Sequence, residues 1–140
     1  MIVVDASLVV KLFRDEPNSD LAERIYAEHR DELAAPDLLA IEVAAALVRN
    51  ANMVKSSRPF IEMALAEFGQ VLRDATIALH RLDERQLAVA AKYALDLGHP
   101  LKDCIYLALA MELGCDLVTC DARFAAKAKG VWAGVRVLGG

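Results

Sequence analysis

Five short, mostly apolar segments, each separated from the next by one or more stretches of helical length, constrain this chain more than any other feature. They are Ile2-Val3-Val4, Leu33-Ala34-Ala35, Ile77 to Leu82, Leu117 to Cys120 and Val135 to Leu138. A strand that is apolar at successive rather than alternate positions is one covered on both faces. Helices are predicted from about Ser7 to Phe13, Asn18 to Arg30, Asp37 to Ala51, Ser56 to Arg73, Glu84 to Leu97, Pro100 to Leu113 and Asp121 to Lys129. Their ends carry the expected punctuation: Asp37 and Asp83 as caps, Pro59 in a first turn, and Gly98, Gly114 and Gly130 as stops. Such alternation predicts the α/β class, with a parallel sheet of about five strands and helices on both sides. The 140 residues form one domain, 1–140, without linker, internal repeat or low-complexity tract.

Composition excludes several classes of function. Hydrophobic residues make up 56% of the chain, above the usual ~45–50%, which excludes disorder and points to a partner surface or a dimer. No apolar run approaches the ~18 residues of a membrane span. MIVVDASLVV lacks the basic region and cleavage site of a signal peptide and reads as an immediate strand. Cys104, Cys115 and Cys120 are odd in number and match no zinc spacing, so they read as reduced thiols of a cytoplasmic protein. His29, His80 and His99 show no pairing with a serine or cysteine nucleophile, and no catalysis is assigned to them. The net charge of -4 is opposite to that of an ordinary nucleic-acid binder.

The acidic residues themselves answer that objection. In open parallel sheets, ligands bind beyond the carboxyl ends of the strands. Asp5 ends the first predicted strand and Asp121 the fourth. Glu42 lies in the nearly uncharged helical stretch PDLLAIEVAAALV, and Asp103 in the first turn of PLKDCIYLALAMELG. Each has a plain structural reading: strand-end turns for the first two, a solvated helix position for Glu42, a dipole-favoured first turn for Asp103. Together they point to one site. Like charges ~4 Å apart at an effective dielectric near 20 cost about 4 kcal/mol per pair, so a converging set requires a cation or raised pKa values. Oxygen ligands without His or Cys suit Mg2+ or Mn2+, and such clusters activate water and offset charge on a phosphodiester.

VVDASLVVKLF, PDLLAIEVAAAL, LKDCIYLALA and LVTCDARF, in this order, resemble the PIN-domain ribonucleases, and among them the VapC-type toxins of toxin–antitoxin pairs. The resemblance covers essentially the whole chain. It implies a three-layer α/β/α sandwich and Mg2+- or Mn2+-dependent hydrolysis of RNA by an activated water. It implies that Asp5, Glu42, Asp103 and Asp121 form the catalytic, metal-binding site, with Asp5 and Asp103 as direct ligands. Ser7 and Thr119 match its D-x-S and T-x-D positions and would be hydroxyl donors that hold the carboxylates. Their ordinary readings are a helix cap and a strand residue. This chain departs from the pattern at Ala45, where many relatives carry Asn, and at Lys102, where Tyr or Thr is frequent. Asp37 and Asp116 read as boundary residues.

Basic residues flank these motifs: Lys11, Arg14, Arg49, Lys55, Lys102, Arg123 and Lys127. Lys102 and Arg123, nearest the acids, are the expected phosphate contacts. Trp132 is expected to pack near the C-terminus. Leu21, Ile25, Tyr26, Ala46, Met53, Phe60, Met63 and Phe68 exceed what one helix face needs. The resemblance implies that a VapB-like antitoxin segment lies in such a groove. It also implies a homodimer, with DNA reached only through the antitoxin. Two other functions compete. One is a catalytically silent binding module on the same fold. The other is a different magnesium phosphohydrolase, disfavoured because Asp5-Ala6-Ser7 lacks the second acid of a D-x-D nucleophile motif.

Overall fold

The structure, a computed structural model, describes residues 1–139. The chain order is β1 (Ile2–Val4), α1 (Ala6–Phe13), α2 (Ser19–Glu28), β2 (Leu33–Pro36), α3 (Leu38–Met53), α4 (Arg58–Arg73), β3 (Ile77–His80), α5 (Glu84–Leu97), α6 (Leu101–Leu113), β4 (Asp116–Thr119), α7 (Ala122–Ala128) and β5 (Val135–Val137). A short 3-10 turn, Lys55–Ser57, links α3 to α4. The five strands are all parallel and lie in the order β3-β2-β1-β4-β5. The register pairs Val3 with Ala34 on one side and with Leu117 on the other.

That order sets the layers. The chain moves outward from β1 through β2 to β3, then crosses back to β4 on the far side of β1. Parallel crossovers are right-handed, so reversing direction puts the later helices on the opposite face from the earlier ones. Accordingly α1 packs with α2, α3 and α4, whereas α6 lies against β1, β2 and β4 beneath α5. The result is the three-layer α/β/α sandwich with five parallel strands. Residues Cys104 to Ala110 of α6 are all buried, because that helix has the sheet on one side and α5 on the other.

Several local signals act as their chemistry requires, whereas Asp37, placed at the start of α3, makes no side-chain capping bond because its own backbone is already helical. Asp83 accepts from the Gln86 backbone N–H at 2.8 Å while Gln86 Oε1 accepts from Asp83 N–H at 3.1 Å, a reciprocal cap that starts α5. Gly98 (φ 60°) and Gly114 (φ 64°) close α5 and α6 in the left-handed region, where a side chain is disfavoured. β3 departs from expectation: it ends at His80 rather than Leu82, and Ala78 and Leu79 are exposed. It is an edge strand with a single neighbour, so apolarity there does not mean cover on both faces.

The apolar excess also divides differently from the sequence reading. Phe68 is core, 3% exposed and set edge-on to Phe13 with ring centroids 5.5 Å apart. Leu21, Ile25, Tyr26 and Ala46 are half-buried and pack on the core. Exposure concentrates on α3, α4 and the turn between them, at Ile41, Val48, Met53, Val54, Phe60 and Met63. The three cysteines are free, and burial pushes each thiol up, which makes them poor nucleophiles. Among the described residues no helix is long and apolar enough to cross a membrane.

Trp132 packs as expected, its indole N–H donating to the Cys115 carbonyl at 2.9 Å. A methyl group on Gly134 would fall 2.9 Å from that nitrogen and 2.8 Å from Asp116 Oδ1. Neither neighbour yields freely, since Asp116 also pairs with Arg136 at 3.1 Å. Gly134→Ala is therefore expected to lower stability by about 1–3 kcal/mol, an overpacking cost. Thermal melting beside Gly130→Ala, whose added methyl meets only ordinary contacts, checks this.

Candidate active site

The strand order places a crevice at the carboxyl ends of the paired strands β1 and β4, because the connections leaving them run in opposite directions. Asp5 follows β1 directly, Thr119 ends β4, and Asp121 lies two residues beyond it as the cap of α7. Glu42 reaches the crevice from the second turn of α3, and Asp103 from the first turn of α6. All four carboxylates line one cleft of about 530 Å³, together with Ser7, Ile41, Arg49 and Lys102.

Each acid is held by a donor from the chain. Asp5 Oδ2 accepts from Thr119 Oγ1 at 2.7 Å and from Ser7 Oγ at 3.1 Å. The same hydroxyls receive backbone N–H groups: Asp121 N–H donates to Thr119 Oγ1 and Cys120 N–H to Ser7 Oγ. The β4 end is thereby tied to Asp5. Asp121 Oδ1 accepts from Phe124 N–H at 2.9 Å and so also caps α7. Asp103 Oδ2 meets His99 Nε2 at 2.6 Å. Glu42 Oε1 accepts from Tyr106 Oη at 2.6 Å, and its Oε2 lies 3.4 Å from Lys102 Nζ. Among the described residues, Asp5 Oδ1, Asp103 Oδ1 and Asp121 Oδ2 have no protein donor.

Electrostatics follow from this crowding. Asp5 is 7% exposed, and burial raises its pKa above the ordinary value of 3.8. The Thr119 and Ser7 hydroxyls counter that rise, whereas the charges of Asp103 and Glu42 add to it. Tyr106 is buried, and burial followed by its bond to Glu42 drives the phenol far above its ordinary value, so it stays a donor. Carboxylates converging on one cleft, with oxygens that take no protein donor among the described residues, form a donor set for a hard divalent cation.

Two of these contacts were not singled out from the sequence. Tyr106 sits 64 residues from Glu42, and no local pattern joins them. His99 precedes Asp103 by four residues, but α6 begins only at Leu101, so helical spacing does not pair them. The expected phosphate contacts divide. Lys102 lines the cleft, whereas Arg123 is exposed and outside it, because α7 buries Phe124, Ala125 and Ala128 and leaves Arg123 to solvent. Arg49 lines the cleft in its place. Lys11 and Arg14 pair with Glu16, and Lys127 donates to the Gly98 carbonyl.

Comparison with known proteins agrees with this architecture. Residues 2–130 match the model of the PIN domain family. The chain is 31% identical over 138 residues to Ribonuclease VapC3 of Pyrobaculum aerophilum, covering 90% of this chain and 93% of that one. Among solved structures, PAE2754 from Pyrobaculum aerophilum superposes with a TM-score of 0.65 at 22% identity, covering 99% of this chain and 89% of that one. A toxin–antitoxin complex from Klebsiella pneumoniae gives 0.64 at 17% identity, covering 98% and 97%. At those identities the two structures speak to the fold.

Proposed function

This chain belongs to the PIN-domain family, and on that premise we propose that it is a divalent-metal-dependent endoribonuclease, the toxin of a type II toxin–antitoxin pair. The observation that carries the reading is the acidic cleft at the β1/β4 switch point, where Asp5, Asp103 and Asp121 each keep one carboxylate oxygen free of protein donors. The VapC3 ribonuclease, similar along nearly its whole length, supports the substrate class.

In this reading Asp5, Asp103 and Asp121 hold Mg2+ or Mn2+, with Glu42 completing the acidic set. Such an ion, when bound, lowers the pKa of a coordinated water and offsets charge on a phosphodiester during in-line displacement. The chain's own part is orientation. Thr119 and Ser7 fix one oxygen of Asp5 and leave the other for the cation. Phe124 N–H does the same for Asp121. Tyr106 keeps Glu42 aimed into the cleft. Lys102 and Arg49 line its wall as the cations that receive RNA phosphates, a local positive charge on a chain whose net charge is -4.

The exposed apolar residues of α3 and α4, Ile41, Val48, Met53, Phe60 and Met63, suit a docking antitoxin segment or a second copy of the chain, and Ile41 also lines the cleft. The three free thiols fit the reducing cytoplasm, where disulfides are rare.

The deciding experiment is cleavage of structured and single-stranded RNAs with Mg2+, Mn2+ or EDTA. Wild type is expected to cut only with metal, and Asp103→Asn to be inactive with its fold retained. Metal-independent cutting, or full activity in Asp103→Asn, would overturn the assignment. Faster turnover of a small phosphate ester than of RNA would move it to another phosphohydrolase class.

A further inference from the structure

We propose that His99 is a positioning residue of the acidic site, holding Asp103 through Nε2 so that the remaining carboxylate oxygen is presented to the cation. The inference rests on the reading of the cleft as a metal site and extends it to a residue outside the acidic set.

An ionised carboxylate can only accept, so the 2.6 Å contact between His99 Nε2 and Asp103 Oδ2 requires the hydrogen on Nε2. The imidazole has little freedom: its side chain is 7% exposed and lies against Phe124, with ring centroids 4.7 Å apart and planes 34° apart. Its backbone is pinned as well. Gly98 closes α5 in the left-handed region, His99 N–H donates to the Ala94 carbonyl at 3.0 Å, and Pro100 then starts α6.

The same packing serves two acids. Phe124, which seats the imidazole, also donates its backbone N–H to Asp121. One ligand-type atom from each of His99, Asp103 and Asp121 lies within 4.8 Å of the others. The turn after α5, the start of α6 and the start of α7 therefore meet at this point, and the histidine joins them. Because Nε2 faces Asp103 and one ring face is covered by Phe124, the imidazole acts through the carboxylate. Outer contacts of this kind are worth about 10–100-fold in metal affinity.

The test is calorimetric titration of Mn2+ into the full chain, with a thermal melt for each variant. His99→Phe keeps a ring against Phe124 and removes the donor. It is expected to weaken Mn2+ binding about 10–100-fold while the protein still melts cooperatively. His99→Gln restores an N–H donor and is expected to recover most of that loss, which a purely structural role would not do. Binding by His99→Phe within twofold of wild type would overturn the proposal. So would His99→Gln binding as weakly as His99→Phe, the result for a direct ligand or a packing residue. Asp103→Asn, titrated alongside, separates the two levels: if it binds Mn2+ like wild type, the metal-site reading itself fails, whatever His99 does.

Discussion

Asp5→Asn is expected to reduce metal-dependent RNA cleavage by more than about 100-fold while leaving the protein at least as stable as wild type at neutral pH. The first half follows from position. Asp5 ends the strand at the switch point, takes both hydroxyl donors on one oxygen and has the other free. Amide nitrogen is a poor substitute for a carboxylate at a hard cation. The second half follows from charge. The Asp5 carboxyl is buried, and burial with the nearby Asp103 and Glu42 raises its pKa. A raised folded-state value means the folded chain holds that proton more tightly than the unfolded chain. The associated stability is complete below about 3.8 and is lost as pH rises through the raised value. At neutral pH the ionised group therefore opposes folding, and asparagine does not. The stability advantage of Asp5→Asn over wild type should grow from pH 4 to neutrality, as read by chemical denaturation. A variant that is much less stable at pH 7 would show that the hydroxyl contacts outweigh the buried charge.

The second large effect is stabilisation by the cation. Wild type in Mn2+ or Mg2+ at a hundred times its dissociation constant should gain about 2.7 kcal/mol. For a chain of this size that is a rise in melting temperature of about 5–10 °C, reversed by EDTA. The gain should shrink in Asp5→Asn, where both the ligand and the repulsion it relieves are gone. Ca2+ serves as a control of size. An equal rise in all variants would place the binding elsewhere.

Much of this protein is legible before folding. The strands at Ile2–Val4, Leu33–Pro36 and Asp116–Thr119 and the caps at Asp83, Gly98 and Gly114 lie within a residue or two of where local pattern sets them. Strand placement at the edge was less legible, because Ile77 to Leu82 is as apolar as a buried strand but ends early and stays open on its free side. The acids that line the cleft were legible as charges in apolar settings at element ends, since an unpaired carboxylate is rarely tolerated there without a purpose. Lys102 and Arg123 looked alike, each beside an acid, and only helix rotation separates one that lines the cleft from one that does not.

The sequence by itself determined the order of strands and helices along the chain, the caps at Asp83, Gly98 and Gly114, the placement of Asp5, Asp103 and Asp121 at element ends and that of Glu42 in an apolar helix, because these depend on backbone preferences and burial periodicity within a few residues. Only the tertiary structure decided that β1 and β4 lie side by side at the site, that Tyr106 reaches Glu42, that His99 reaches Asp103, and which apolar helix faces remain open. Those outcomes rest on how separate elements pack. A hydrogen bond between residues 64 positions apart depends on side chains brought together by the whole core, and no local stretch of sequence carries that information.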